Sequence, residues 1–348
     1  MHRLIRARDG EPLRIVAIGG GTGLSSLLHG LKQYMHCGTA DGAPHHDLSI
    51  TAIVTVTDDG GSSGRLRRDF DILPPGDIRN CLVAMSEDEA MLSRLFQYRF
   101  SAGKGLKGHT LGNLLLTALT DLNGGDFGRA VQHASDVLAI CGKIYPSTAA
   151  NVVLEAILAD GTRVEGETRI SKSKARIRRI RVKPARPRPI QEALQAISEA
   201  DVITLGPGSL FTSIIPNLLV RGIPDAIASS QALKVYFVNL MWQPGETIQF
   251  SASDHVRAIH DHARRKLIDV VAVNTKPISA LLKQRYAREC AQPVLNDYDA
   301  LGELGMRVVS RELAADGDKV RHDPATIAEL CIRLGMEACA ARTRAMIA

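Results

Sequence analysis

Aromatic residues are scarce, at 4% of 348 residues with a single tryptophan. Tyr145 is the only Phe, Tyr or Trp between Phe127 and Phe211, which argues against a stretch built to stack nucleobases. The six cysteines, Cys37, Cys81, Cys141, Cys290, Cys331 and Cys339, include no CxxC pair. That spacing speaks against a zinc site or a disulfide frame and reads as reduced thiols in a cytoplasmic protein. No run approaches 18 uninterrupted apolar residues, so no membrane span is expected. Residues 1–12 carry basic side chains with no apolar run behind them, unlike a secretory signal. HExxH, GxSxG and GxxxxGK[ST] are all missing, which removes zinc protease, α/β-hydrolase and P-loop readings. What is present is 45% hydrophobic residues against 23% charged, ample for a sizeable core.

The net charge of +6 is unevenly placed. Residues 163–188 hold eleven Lys or Arg against Glu165 and Glu167, a local +9, which leaves −3 for everything else. This basic segment could contact RNA or an anionic ligand. The plainer alternative is a solvated hairpin face with lysine protecting its edge.

Short β-branched runs at 14–18, 50–56, 201–205, 234–239 and 269–273 do not alternate in polarity, as expected of strands buried on both faces of a parallel sheet. Between them, 24–34, 87–100, 111–122, 191–199 and 254–266 have helical periodicity. The pattern predicts a doubly wound α/β fold. Residues 151–189 differ: two alternating runs flank Asp160-Gly161, a hairpin signal, in an antiparallel excursion closed by Pro184, Pro187 and Pro189. Residues 36–48 read as a surface loop. A final helix is expected over 323–348, capped by Asp323 with Pro324 at its first position. The predicted organisation is one domain, with a core of 14–150 and 190–275, an excursion at 151–189 and a helical cap at 276–348.

Several loops follow strands. Gly19-Gly20-Gly21-Thr22-Gly23 ends the first strand and opens a helix, which suits a phosphate; the alternative is a simple tight turn. It is not a GxGxxG, because Ser26 stands at the third position. Asp58 and Asp59 close the second strand, too far along for a standard NAD site and followed by a second glycine-rich loop, GGSSG. They could hold a divalent cation, or cap a turn and pair with Arg65, Arg67 or Arg68. Asp77 is a candidate N-cap. His109 and Asn113 share a helix face, and a lone His there is ordinarily structural. Gly206-Pro207-Gly208-Ser209 repeats the logic of the first loop, and Asn239–Thr247 and Asn274–Ser279 also follow strands. In a parallel sheet all these loops meet at the carboxyl edge, where ligands bind. His255 and His262 lie seven apart on one helix face with no third ligand, so zinc is not expected and a solvated or core-edge face is.

Taken together, IVAIGGGTGLSSLLHGLK, ITAIVTVTDDGGSSGRLRRDFDILPPGDIRNCLVAMS, GHTLGNLLLTAL, LGPGSLFTSIIPNLLV, KVYFVNLMWQPGET and FSASDHVRAIHDH resemble the CofD/YvcK-like family, specifically its YvcK branch of gluconeogenesis factors. The resemblance implies a Rossmann-like, cytoplasmic, nucleotide-sugar binding protein tied to carbon metabolism, cell shape and envelope synthesis, with UDP-N-acetylglucosamine as the type ligand. It further implies that a Tyr and an Arg of the C-terminal part hold the ligand, here Tyr286 and Arg321. The CofD branch instead transfers a phospholactyl group from a guanylylated donor to a deazaflavin. The low aromatic content does not favour that chemistry here.

The expected ligand-binding residues are therefore Gly19, Gly20, Gly21, Thr22, Gly23, Asn113, Gly206, Gly208, Ser209, Asn239, Tyr286 and Arg321. No cofactor is required, although Mg²⁺ could accompany a nucleotide diphosphate on Asp58 or Asp59. If a reaction occurs, Asp59 or His109 is the candidate for activating an acceptor. Expected partners are the UDP-sugar, an unidentified protein and further copies of the chain, with no DNA and no membrane.

Overall fold

In a computed structural model, which describes residues 11–35, 48–87, 91–173 and 175–347, the strands in chain order are β1 (Leu13–Gly19), β2 (Leu48–Val54), β3 (Lys143–Pro146), β4 (Val153–Leu158), β5 (Arg163–Glu165), β6 (Ile177–Lys183), β7 (Val202–Leu205), β8 (Leu233–Phe237), β9 (Val270–Asn274) and β10 (Arg307–Arg311). Seven of them form a sheet in the order β10-β9-β8-β7-β1-β2-β3, with every pair parallel. From β1 the chain builds outward through β2 and β3, then returns to lay β7 on the other flank of β1. The crevice between β1 and β7 is thus the topological switch point of a Rossmann-like α/β sheet.

Burial on both faces explains the missing alternation. Ile15, Val16, Ala17 and Ile18 of β1 are at most 2% exposed, and all of β7 is buried. The helix Gly21–Lys32 buries Leu24, Leu27, Leu28 and Leu31, a spacing of three and four that makes one apolar stripe. The terminal helix Pro324–Ile347 packs against it. Asp323 caps that helix as expected, its Oδ2 accepting from the Thr326 amide (2.8 Å) and hydroxyl (2.7 Å).

Helices Leu111–Leu122 and Gln191–Glu199 have the expected bounds. The segment expected to be helical over 87–100 contains the shorter helix Leu92–Gln97. The loop expected at 36–48 lies outside the described residues except for Leu48, which opens β2. The edge strands β3 and β10 carry no sequence signal of their own. KIYP ends in proline and RVVSR is flanked by arginines, as befits edges that must not recruit another strand. Through β10 the segment 276–348 extends the sheet as well as covering it. Among the described residues no single helix is long and apolar enough to cross a membrane.

The excursion is a separate antiparallel sheet in the order β5-β4-β6. Its Asp160-Gly161 turn joins β4 to β5, with the Thr162 amide donating to Asp160 Oδ1 (2.9 Å). A short helix, Glu167–Ser171, precedes β6. His262 holds this sheet to the body: the Ile180 amide donates to its Nε2 (3.0 Å) while Nδ1 faces the Ala258 carbonyl (2.7 Å). His255 sits wholly buried against the Ser251 carbonyl. His262 lies at the edge of the core, one of the expected placements, whereas His255 is inside it and not on a solvated or core-edge face.

Cys81, Cys290, Cys331 and Cys339 are free thiols, whereas Cys141 is disulfide-bonded. The reading of every cysteine as a reduced thiol is corrected there. A bridge made by tertiary proximity leaves no spacing signal in the chain.

Candidate functional site

At the carboxyl end of β1 the backbone leaves the strand at Gly19 and enters the helix Gly21–Lys32 at once. At the end of β7, the turn Gly206–Ser209 leads into the wide-turned segment Leu210–Ile214. The two loops touch. A Cβ on Gly23 would lie 2.5 Å from the Pro207 carbonyl oxygen and 2.8 Å from the Gly208 nitrogen. Only glycine permits that backbone approach. A Cβ on Gly20 would meet Thr55 at 2.6 Å and an Asp77 oxygen at 2.7 Å, so the first loop is also pressed onto the end of the second strand.

Above the paired loops lies a cavity of about 450 Å³, within the range of small-molecule sites. Gly20, Gly21, Thr22 and Gly23 form one wall, and Gly208 and Ser209 the next. The first turn of the helix holds no acidic residue of its own; Asp77 takes the Gly21 amide, and the remaining amides of the turn suit an anion. Asn239, Gln243 and Glu246, from the loop after β8, line a third side. Asn239 Nδ2 donates to Gln243 Oε1 (2.8 Å), and Gln243 Nε2 donates to Ser209 Oγ (2.7 Å). That relay fixes the amide of Asn239 and leaves its Oδ1 without a donor among the described residues. Tyr286 and Arg321 close the cavity. The Val320 amide donates to the Tyr286 hydroxyl (3.1 Å), so Tyr286 braces the backbone that presents Arg321.

Of the expected ligand residues, Gly20, Gly21, Thr22, Gly23, Gly208, Ser209, Asn239, Tyr286 and Arg321 line this cavity. Gly19 and Gly206 lie behind it as strand ends. Asn113 is outside the lining, buried with Nδ2 donating to Ser62 Oγ (3.1 Å), and the same hydroxyl meets His109 Nδ1 (2.9 Å). Burial, with help from Arg65 and Arg99, holds the His109 imidazole below its usual pKa. Asp59 is likewise outside the cavity, its Oδ1 accepting from the Thr168 amide (2.8 Å) and hydroxyl (2.6 Å). Asp58 Oδ1 accepts from the Gly60 amide (2.8 Å), the turn-capping role weighed above. Among the described residues no group of three or more His, Cys, Asp or Glu is placed to hold a metal ion.

Asp58 and Asp77 stand out singly along the chain; the fold joins them with Glu167 and Glu246 in one row of acids by the loops. Glu246 accepts from the Phe211 amide and the Thr212 hydroxyl, each at 3.2 Å. Burial still pushes its pKa to about 7. Asp77 is in the first turn of the helix Gly76–Met85, whose N-cap is Pro75. It accepts from the Gly21 amide, and burial and Asp58 raise it to about 7. Glu167, from the excursion, is pushed to about 9 by burial and then by Asp58, Asp77 and Glu246. Thr57 Oγ1 donates to it at 3.4 Å. No linear spacing links residues 58, 77, 167 and 246; the strand ends alone bring them together.

The sheet and its cavity define a Rossmann-like α/β protein with a ligand-sized pocket at its switch point. The chain belongs to the CofD/YvcK-like family: residues 15–314 match the family model described as 2-phospho-L-lactate transferase CofD. It is 48% identical over 316 residues to the gluconeogenesis factor of Halalkalibacterium halodurans, covering 90% of this chain and 94% of that one. It is 45% identical over 326 residues to the gluconeogenesis factor of Bacillus subtilis, covering 93% and 99%. The crystal structure of a UPF0052-family protein from Bacillus halodurans superposes with a TM-score of 0.87 at 46% identity, covering 92% of this chain and 99% of that one.

Proposed function

We propose that this chain is a cytoplasmic regulatory protein that binds a UDP-sugar of the UDP-N-acetylglucosamine type and links gluconeogenic carbon metabolism to cell shape and envelope synthesis. The observation that carries the reading is the gathering, in one cavity, of both glycine loops with Asn239, Tyr286 and Arg321. Each group has a matching part of the ligand. The loop amides and the helix end suit a diphosphate. The Arg321 side chain, which has no ion pair among the described residues, suits a diphosphate oxygen. Asn239, its amide fixed by Gln243 at the cavity wall, suits a polar edge of the base. The Tyr286 ring offers a face to base or sugar. With Asp58 and Asp59 engaged by Gly60 and Thr168, Mg²⁺ would arrive with the diphosphate and not on a dedicated protein site.

Binding without turnover is supported by how the reactive groups of the cavity are committed. Ser209 Oγ accepts from Gln243. His322 Nε2 faces the Val238 carbonyl (3.2 Å), and burial drops its pKa to about 4. The alternative is a phospholactyl transfer, which the family model's description as 2-phospho-L-lactate transferase supports; the guanylylated donor and deazaflavin acceptor are what the CofD resemblance implies. Calorimetry against UDP-N-acetylglucosamine, GDP and NADH, followed by product analysis, separates the readings. The regulator binds the UDP-sugar and returns it unchanged. Binding of NADH alone, or donor consumption only with a deazaflavin acceptor and Mg²⁺, overturns it.

A further inference from the structure

The basic segment has no part in the nucleotide cavity, yet its arginines are not spread evenly over a solvated face. Strand β6 pairs with β4 through a bulge: Arg179 lies opposite Ile157 and Ile177 opposite Leu158, which leaves Arg178 as the extra residue. A bulge interrupts the alternation of side chains and re-aims them. Here the consecutive residues Arg178 and Arg179 both line one groove of about 880 Å³ between β6 and the helix Ala252–Ala263. Arg176 joins them, its guanidinium held over the Phe250 ring at 4.8 Å. Across the groove the helix and its C-cap add Arg257 and Arg264.

Five arginines thus face two aspartates, Asp254 and Asp261, for a net +3. Only Arg257 has an ion pair among the described residues, to Asp254 at 3.4 Å. Arg178, Arg179 and Arg264 have no ion pair among the described residues. The groove is open, no glycine loop closes it around a small anion, and the helix end beside it is already capped by Ser251 and Asp254. Its two rings, Phe211 and Phe250, are 1% and 5% exposed, so no base can stack on them. The two aspartates would repel an evenly charged polyanion, whereas a peptide can place its acids and neutral residues to match a mixed pattern.

From this geometry we propose that the groove between β6 and the helix Ala252–Ala263 is a docking site for an acidic segment of a partner protein. Arg178, Arg179 and Arg257 provide bidentate contacts to its carboxylates. The site is separate from the nucleotide cavity and does not depend on which ligand that cavity takes. It lies next door, however: Phe211 on its wall donates its amide to Glu246 of the cavity.

The test uses the full chain and a labelled synthetic peptide alternating Glu and Ser, carrying a photo-crosslinker. Binding should weaken steeply with added salt, and crosslinks should map to β6 and the helix Ala252–Ala263. The triple variant Arg178→Glu, Arg179→Glu, Arg257→Glu should bind roughly tenfold or more weakly. The distant control Arg129→Glu should bind as the parent does. All three arginines are at least partly exposed, and an unchanged thermal midpoint establishes that the variant is folded. A neutral set with Gln at the same positions guards against misfolding and should show a smaller loss in the same direction. Equal binding by parent and triple variant, or crosslinks elsewhere, overturns the proposal. So does tighter binding of a single-stranded RNA oligonucleotide, which would assign the groove to nucleic acid. Inorganic pyrophosphate that displaces the peptide, and whose binding is lost in the triple variant, would overturn it in favour of a small anion.

Discussion

Replacing Gly23 by alanine places a methyl group where the two glycine loops meet. Its carbon would stand 2.5 Å from the Pro207 oxygen, 2.6 Å from the Pro207 carbonyl carbon and 2.8 Å from the Gly208 nitrogen. Ordinary contact begins near 3.4 Å, so the loops must separate by about 0.9 Å at the closest point, against backbone and not a yielding side chain. Overpacking of this kind costs about 1–3 kcal/mol, which lowers the thermal midpoint by a few degrees in a chain this long. The larger effect should be on binding, because the displaced wall includes Gly208 and Ser209 of the cavity. At a hundredfold excess over Kd a ligand stabilises its protein by about 2.7 kcal/mol. Thermal unfolding with and without UDP-N-acetylglucosamine should therefore show a shift in the parent that Gly23→Ala largely loses. Gly302→Ala serves as control, since a Cβ there meets nothing within 4 Å. That helical position should gain about 0.5–1 kcal/mol. A Gly23→Ala protein with the parent's midpoint and the parent's ligand shift would refute the claim that loop contact shapes the site.

Arg321→Ala should weaken UDP-sugar binding by about 1.5–3 kcal/mol, the worth of a charged hydrogen bond, as read by calorimetry. Tyr286→Phe removes the acceptor of the Val320 amide and should cost about 1 kcal/mol, while keeping the ring and most of the affinity. For Glu246 the folded pKa of about 7 lies above the ordinary 4.5. Its contribution to stability is therefore fully present below pH 4.5 and is lost as pH rises through 7. The charge that appears also repels a diphosphate, as does that of Asp77, which titrates at about 7 on the Gly21 amide. Affinity should fall between pH 6 and 8, and the double variant Glu246→Gln, Asp77→Asn should flatten that profile, whereas a parallel fall in it would sink the assignment. His262→Ala leaves the Ile180 amide without its acceptor and should cost about 1–3 kcal/mol. Hydrogen exchange should locate the loosening in β6, and protection there equal to the parent's would contradict the anchoring role.

The fold class was legible because burial on both faces leaves an unmistakable composition. LRIVAIG, LSITAIV and VITL have no polar face to show, and such strands exist only inside a covered sheet. Edge strands obey the opposite constraint, which is why KIYP and RVVSR passed unread. The glycine loops were legible as close-approach elements for the same local reason. That Gly23 packs on Pro207, 184 positions away, was not, because a parallel sheet determines neighbours by strand order and not by spacing.

The sequence alone determined which residues could tolerate backbone contact, which runs must be buried on both faces, and where positive charge is concentrated, since these are properties of side chains and their nearest neighbours. Tertiary structure decided which of them share a site. The return of the chain to β7 puts two glycine turns against one another and brings Asn239, Tyr286 and Arg321 over them. It leaves Asn113 and His109 on the Ser62 hydroxyl, and Asp59 on Thr168, outside the cavity. One extra residue in β6 turns a run of arginines, otherwise divided between two faces, into a single lined groove. Distances of this kind arise from the order and register of strands, which the chain specifies only through the summed packing of its whole core.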